Sequence, residues 1–168
     1  MILILEGADL VGKTETARVL SYKLGTPTSG NWIDLNNPKP SVTSVARTLH
    51  LVFKAMNPNL ILDRSFLSEY IYGQIMGRNI EYIPELAHEW GDLDDCRLVV
   101  LTATESVLRR RFSVRGDNYA TLDQILAANT IYPSLCRIVP ATIPALTVSV
   151  IDGSIESTVD TIMTAIAV

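Results

Sequence analysis

The chain has 168 residues, 14 basic against 18 acidic side chains, a formal net charge of −4 and 48% hydrophobic residues. That length suffices for one domain with a sizeable core, and the hydrophobic content excludes wholesale disorder. The acidic balance, with a pI near 5.1, argues against nucleic-acid binding through bulk charge, and no apolar run approaches the ~18 residues of a membrane span.

The first apolar run, Ile2-Leu3-Ile4-Leu5, reads as a buried strand. With no basic segment ahead of it, no signal peptide is expected, and the expected location is the cytoplasm. Residues 13–24 follow as a helix closed by Gly25 and Pro27. A short strand is expected over 31–35 and a loop over 36–40. Ser41 can cap a helix whose apolar residues Val42, Val45, Ala46, Leu49, Val52, Phe53 and Met56 recur three and four apart. Asn57-Pro58-Asn59 breaks it. Leu60-Ile61-Leu62 is the third strand, and helices are predicted over 65–76 and 84–90. Residues 97–101 form the fourth strand, followed by a helix over 105–112, a polar loop over 113–118 and a helix over 120–131 that Pro133 ends or kinks. The fifth strand spans 146–151. The turn Asp152-Gly153-Ser154 then leads to a helix with Ile155, Val159, Ile162, Met163 and Ile166 on one face. Continuous apolar strands separated by helices predict an α/β domain, a five-stranded parallel sheet with helices on both faces. Cys96 and Cys136, forty residues apart, form neither a metal pair nor a disulfide framework and read as buried free thiols.

Gly7-Ala8-Asp9-Leu10-Val11-Gly12-Lys13-Thr14 fits the phosphate-loop pattern G-x-x-x-x-G-K-[ST], with a strand before it and a helix after. Glycines let the backbone turn its amides toward phosphate oxygens, and the helix N-terminus adds the positive end of its dipole. Lys13 would reach the β- and γ-phosphates of a nucleotide, and the Thr14 hydroxyl would ligate Mg²⁺. Asp9 is unusual, because a carboxylate in an anion-binding loop is unfavourable unless it faces a hydroxyl or other donor. Asp63 closes a buried strand at the edge where α/β sheets bind ligands, so it could hold the metal shell or accept a proton, and Arg64 beside it could pair with an acceptor phosphate. Asp152 is better explained as a turn-and-cap residue. Arg109, Arg110, Arg111 and Arg115 place four of the ten arginines within seven residues. Either they form a solvated helix face, or a lid brings at least one to the transferring phosphate, Arg115 more than Arg111. The carboxylates from Glu81 to Asp95 read as solvated surface and His50 as packing. Trp32 and Trp90 read as core or pocket wall. Phe66, Tyr70 and Tyr72 could stack on a base or, at helical spacing, pack in the core.

Together these residues resemble the thymidylate kinase and deoxynucleoside kinase group of P-loop kinases, over nearly the whole chain. Leu5-Glu6-Gly7-Ala8-Asp9 is similar to the thymidylate kinase start, whose Asp binds the sugar 3′-hydroxyl. The segment from Asp63 to Tyr72 resembles both the D-R-Y-x-x-S stretch of thymidylate kinases and the E-R-S-x-x-S-D stretch of nucleoside kinases. Arg109 to Arg115 looks like the lid, and 150–154 like the last strand and adenine-side loop. The resemblance implies one kinase domain over 1–168 with an arginine-rich lid at about 109–118, ATP as co-substrate, Mg²⁺ on Thr14 and Asp63, and a homodimer. It implies catalytic Lys13, Asp63, Arg109 and Arg115. It further implies ATP contacts from Gly7, Gly12, Lys13, Thr14 and Arg111, and acceptor contacts from Asp9, Arg64, Ser68 and Tyr72. Three family features are missing. Residues 36–40 stand in place of the R-E-P segment, no arginine lies on the C-terminal half of the helix before Asp63, and Gly73 stands where thymidylate kinases carry glutamine. Phosphoryl transfer survives these departures, whereas thymine specificity does not follow.

The expected activity is transfer of the γ-phosphoryl of ATP to a deoxynucleoside monophosphate. Its rivals are phosphorylation of a nucleoside hydroxyl, phosphorylation of a modified base in DNA (disfavoured by the acidic pI), and a non-catalytic nucleotide-binding module. A GTPase switch is excluded: the only D-x-x-G is Asp9–Gly12, and no N-K-x-D occurs.

Overall fold

The computed structural model of the chain describes residues 1–30, 41–150 and 154–167. The strands are β1 (Ile2–Gly7), β2 (Thr28–Ser29), β3 (Leu60–Asp63), β4 (Cys96–Thr102) and β5 (Ala145–Ser149). The helices are α1 (Lys13–Leu24), α2 (Val42–Met56), α3 (Leu67–Ile75), α4 (Ile83–Glu89), α5 (Glu105–Arg115), α6 (Leu122–Ile131), α7 (Leu135–Ile138) and α8 (Ile155–Ile166). All strand pairings are parallel and the sheet runs β2-β3-β1-β4-β5, the five-stranded arrangement expected from the sequence.

The order follows from burial. β1 sits at the centre and every one of its residues is buried, which is why it reads as an apolar run from Ile2 to Leu5, with the buried Glu6 after it. Its register aligns Leu5 with Asp63 on one side and Gly7 with Leu101 on the other, so the phosphate loop leaves the sheet beside the end of β3. Helix α2 is capped by Ser41, whose side chain accepts from the Ser44 amide, and it ends at Asn57 in the left-handed conformation. Its buried residues Ala46 and Phe53 face α4 and Trp90. The fully buried Trp90 donates its indole N–H to the Ala46 carbonyl at 3.2 Å, and its ring lies 5.7 Å from Phe53 and 5.0 Å from Phe66. Phe66 and Trp90 are therefore core.

Several elements differ from expectation. The second strand lies at Thr28–Ser29, ahead of the strand expected over 31–35; that segment, Trp32, the loop over 36–40 and the turn at 151–153 lie outside the described residues. Helix α5 continues through Arg115, to Gly116 at φ 65°, although polar composition suggested a loop from 113. The carboxylates between α2 and α4 are paired: Glu85 and Glu89 with Arg47, and Asp92 with both His50 and Lys54. His50 thus closes a surface ion cluster between α2 and the segment after α4. Cys96 is buried, its thiol pushed up to about 12 by burial, whereas Cys136 is partly exposed, which corrects the expectation of two buried thiols. Among the described residues no helix is long and apolar enough to cross a membrane.

Trp90 joins α2 and the aromatic cluster to the sheet, so Trp90→Ala should cost about 3–5 kcal/mol and lower the melting temperature by roughly 10 °C. Thermal unfolding followed by circular dichroism measures this; a loss near zero would show that the cluster does not couple α2 to the core.

Candidate active site

The phosphate loop is built from backbone that ordinary residues avoid. Gly7 has φ 149°, and a Cβ there would lie 2.5 Å from the Leu101 carbonyl oxygen. Gly12, at φ 100°, forms the N-cap of α1. Only glycine meets both demands without strain. Inside this turn the buried Lys13 Nζ donates to the Gly7 and Ala8 carbonyls, each at 2.7 Å. Burial pushes its ammonium down to about 7; the Arg64 charge adds to the fall, while Asp9, Asp63 and Glu6 resist it.

Across the loop, β3 delivers Asp63 to α1, where the Thr14 hydroxyl donates to its Oδ2 at 2.6 Å. Two hard oxygen donors, a hydroxyl and a carboxylate, thus stand together at the mouth of the phosphate loop, a donor set suited to Mg²⁺. Arg64 follows with φ 84°, and its amide extends the β1–β3 ladder by donating to the Leu5 carbonyl at 3.0 Å. Its guanidinium pairs with Asp9 Oδ1 and lies 5.6 Å from the centre of the Tyr72 ring. Tyr72 donates its hydroxyl to Asp9 Oδ2 at 2.5 Å. Burial raises the Asp9 carboxyl, but Arg64, Lys13 and the Tyr72 bond outweigh it and hold Asp9 below the usual carboxylate range. The same burial works against Arg64, yet its surroundings, Tyr132, Asp9 and Glu6 among them, keep the guanidinium firmly charged.

Beneath this turn lies Glu6, a residue the sequence reading used only for its likeness. Fully buried, it accepts from the Ser65 amide and hydroxyl on Oε1, both at 2.8 Å, and from the Ser68 hydroxyl on Oε2 at 2.7 Å. Burial raises its carboxyl, while Arg64 and the serines pull it back. Ser68 is itself fully buried and also meets the Tyr132 hydroxyl at 3.1 Å. Its hydroxyl is therefore spent on Glu6 and Tyr132, beneath the site rather than on its surface. Tyr132 escaped notice because Pro133 reads as a helix terminator.

The residues Asp9, Leu10, Gly12, Lys13, Thr14, Asp63, Arg64 and the arginine helix α5 line one cleft of about 840 Å³. From α5 the arginines on it are Arg110, Arg111 and Arg115. Arg111 donates to the Leu10 carbonyl of the phosphate loop at 2.7 Å. Arg109, expected on the reacting side, pairs instead with Glu105 one turn earlier, at 2.7 Å and with its side chain 53% exposed. It is absent from the cleft lining because the helix turns it away; Arg110 takes the place. The four carboxylates on this lining all have partners: Asp9 with Arg64 and Tyr72, Asp63 with Thr14, Glu15 with Arg18, and Asp117 with the amides of Tyr119 and Ala120. Gly73 is closely packed: a Cβ there would lie 2.3 Å from Ile80 Cγ2, so a larger residue would require Ile80 to shift.

No family model matches the sequence, and no curated protein matches it. Solved structures do match in fold. The YorR protein of Bacillus subtilis, crystallised with phosphorylated GDP, superposes with a TM-score of 0.76 at 20% identity, over 99% of this chain and 96% of that one. A deoxyadenosine kinase from M. mycoides, with dCMP and dCDP bound, gives 0.63 at 14% identity over 99% of each chain. Shikimate kinase from Acinetobacter baumannii gives 0.61 at 14% identity, covering 99% of this chain and 92% of that one. The chain therefore has the parallel α/β fold of these three proteins, two of which are named as kinases.

Because Lys13 sits near 7 among carbonyls, a polyphosphate entering the loop must raise it, and protons are taken up on binding. Affinity for inorganic tripolyphosphate should fall as pH rises from 7 toward 10. Titration calorimetry at pH 8 in buffers of different ionisation enthalpy should show uptake approaching one proton. The linkage to folding runs the other way: between pH 7 and the unfolded lysine value near 10.4 the unfolded chain holds more protons, so this lysine's burial costs less stability as pH rises. Binding without proton exchange would show that Lys13 stays charged in the empty loop.

Proposed function

We propose that the protein is a P-loop kinase that moves the γ-phosphoryl of ATP to a deoxynucleoside monophosphate. The phosphate-loop amides and the N-terminus of α1 would cradle the β- and γ-phosphates, with Gly7 and Gly12 permitting the close approach. Lys13 exchanges its two carbonyl partners for phosphate oxygens. Thr14 and Asp63 would hold Mg²⁺, which would supply charge neutralisation for the polyphosphate. Arg110 and Arg115 line the cleft from α5 and would compensate the charge that develops on the transferring group, while Arg111 braces the loop at Leu10. The lid in this reading is the C-terminal half of α5 and the turn through Asp117, within the segment expected at about 109–118.

The observation that carries the acceptor is the commitment of the cleft carboxylates. A nucleoside hydroxyl must lose a proton during attack and needs a base within hydrogen-bond reach. Among the described residues, every carboxylate lining the cleft already holds a donor or a cation, and Asp9 is made a poorer base by Arg64 and Tyr72. A phosphate monoester needs no base: its oxygen is already ionised, and Arg64 would turn from Asp9, its present partner, to receive it. Asp9 and Tyr72 would then face the sugar. The likeness to a protein named deoxyadenosine kinase supports a nucleoside hydroxyl as the second reading.

An ADP-release assay across deoxynucleosides and their monophosphates, with ATP and Mg²⁺, separates the two. Faster turnover of a monophosphate than of its nucleoside is expected; the reverse makes the second reading correct. Lys13→Ala and Asp63→Asn should each lower kcat by about 10³ or more with the fold retained, and Arg115→Ala should approach the same loss. Arg109→Ala, whose partner is Glu105, should lose far less. Near-native turnover in Lys13→Ala would end the kinase reading.

A further inference from the structure

We propose that Glu6 is a positioning residue for the acceptor side of the cleft: its buried carboxylate holds the turn that aims Arg64. The inference rests on the kinase reading for its kinetic consequence, though not for its structural one. Arg64 is not glycine, yet its φ is 84°, a conformation that L side chains adopt only when the surroundings impose it. Two anchors impose it here. The Arg64 amide is held by the Leu5 carbonyl at 3.0 Å, as the last rung of the β1–β3 ladder. The next amide, that of Ser65, finds no strand carbonyl and donates to Glu6 Oε1 at 2.8 Å instead. The Ser65 hydroxyl joins it on the same oxygen and the Ser68 hydroxyl takes Oε2, so one side chain of β1 fixes both the turn and the first turn of α3. Between these anchors Arg64 has little freedom, and its side chain is thrown back over the phosphate loop onto Asp9 and Tyr72. Glu6 is completely buried and touches no cleft surface, so it reaches a ligand either through this turn or through its charge beside Lys13 and Arg64.

Reach and charge can be separated. Glu6→Gln keeps the reach. Its amide oxygen can accept both Ser65 donors and its NH₂ can donate to Ser68, whose hydroxyl proton then turns to Tyr132, where either oxygen can be the donor. Glu6→Asp keeps the charge but withdraws the carboxylate by one methylene, out of bonding range of the serines. Positioning through the turn therefore predicts opposite behaviour for two conservative changes. In crystal structures of the variants, Arg64 should leave its positive φ and lose Asp9 in Glu6→Asp, and keep both in Glu6→Gln.

Kinetically, Glu6→Asp should raise KM for the deoxynucleoside monophosphate by roughly 10–100-fold with KM for ATP unchanged, and Glu6→Gln should stay within about threefold of wild type. On an Arg64→Met background the Glu6→Asp effect should vanish, because the group it aims is gone. If Glu6→Asp does not fold, Ser68→Ala, which removes the Oε2 bond together with the contact to Tyr132 but leaves both Ser65 bonds, should show the same selective rise at smaller size. An unmoved Arg64, equal damage to both KM values, equal loss in Glu6→Gln and Glu6→Asp, or additivity with Arg64→Met would each overturn the proposal. Should the wild-type protein phosphorylate no monophosphate, the monophosphate-kinase reading fails by itself, and the conformation of Arg64 in the two variants still decides the role of Glu6.

Discussion

A buried guanidinium beside the phosphate loop is the constraint around which this end of the molecule is arranged. The Arg64 side chain is 13% exposed, and a charge so far from water needs partners on every side. Asp9 meets it from the loop, Tyr72 from α3 lies under its face, and Glu6 sits behind it at the end of β1. Each partner constrains something else in turn. Asp9 can be tolerated in an anion-binding loop only because Arg64 neutralises it. Glu6 can stand in the most buried strand because it takes hydrogen bonds from two serines. Lys13, pulled down chiefly by its burial, feels the same cation as a further push toward neutrality, against which Asp9, Asp63 and Glu6 act.

This arrangement sorts what could be read from the sequence and what could not. The sheet and phosphate loop were legible because they obey local rules: unbroken apolar runs, a glycine-rich turn, then a helix. Asp63 was legible by position, since a carboxylate ending an apolar strand lies at the ligand edge of a parallel sheet. Glu6 carried a comparable signal, a carboxylate closing the central strand, and was passed over because its partners Ser65 and Ser68 lie about sixty residues away. The short strand β2 and the helical continuation of α5 were missed because sheet pairing and tertiary docking override composition over so few residues.

The arginine cluster shows the same limit at finer scale. Sequence places four arginines together but cannot say which face of the helix docks. In the structure Leu108 is the buried anchor of α5, and the helical period then carries Arg111 and Arg115, and Arg110 with Val114, over the cleft. Arg109 falls beside Glu105, four residues earlier, and an i,i+4 pair on the outer surface results. One buried leucine thus decides which cations meet the phosphate loop.

The two sides of the cleft also share a support. Helix α6 sends the Asn129 amide to both backbone groups of Ala103, at the root of α5, with its oxygen accepting at 3.0 Å and its nitrogen donating at 2.9 Å. Just past its end, Tyr132 reaches Ser68 and through it Glu6, beneath Arg64. The start of the arginine helix and the turn bearing Arg64 are therefore referenced to one element rather than to two independent loops. Phosphoryl transfer gains from such a frame, because positioning errors of an ångström between reacting groups can cost about a hundredfold in rate. Cations carried on separate mobile segments would each have to be ordered anew in every cycle. Here the sheet edge and α6 hold the Arg64 turn and the start of α5 in one frame.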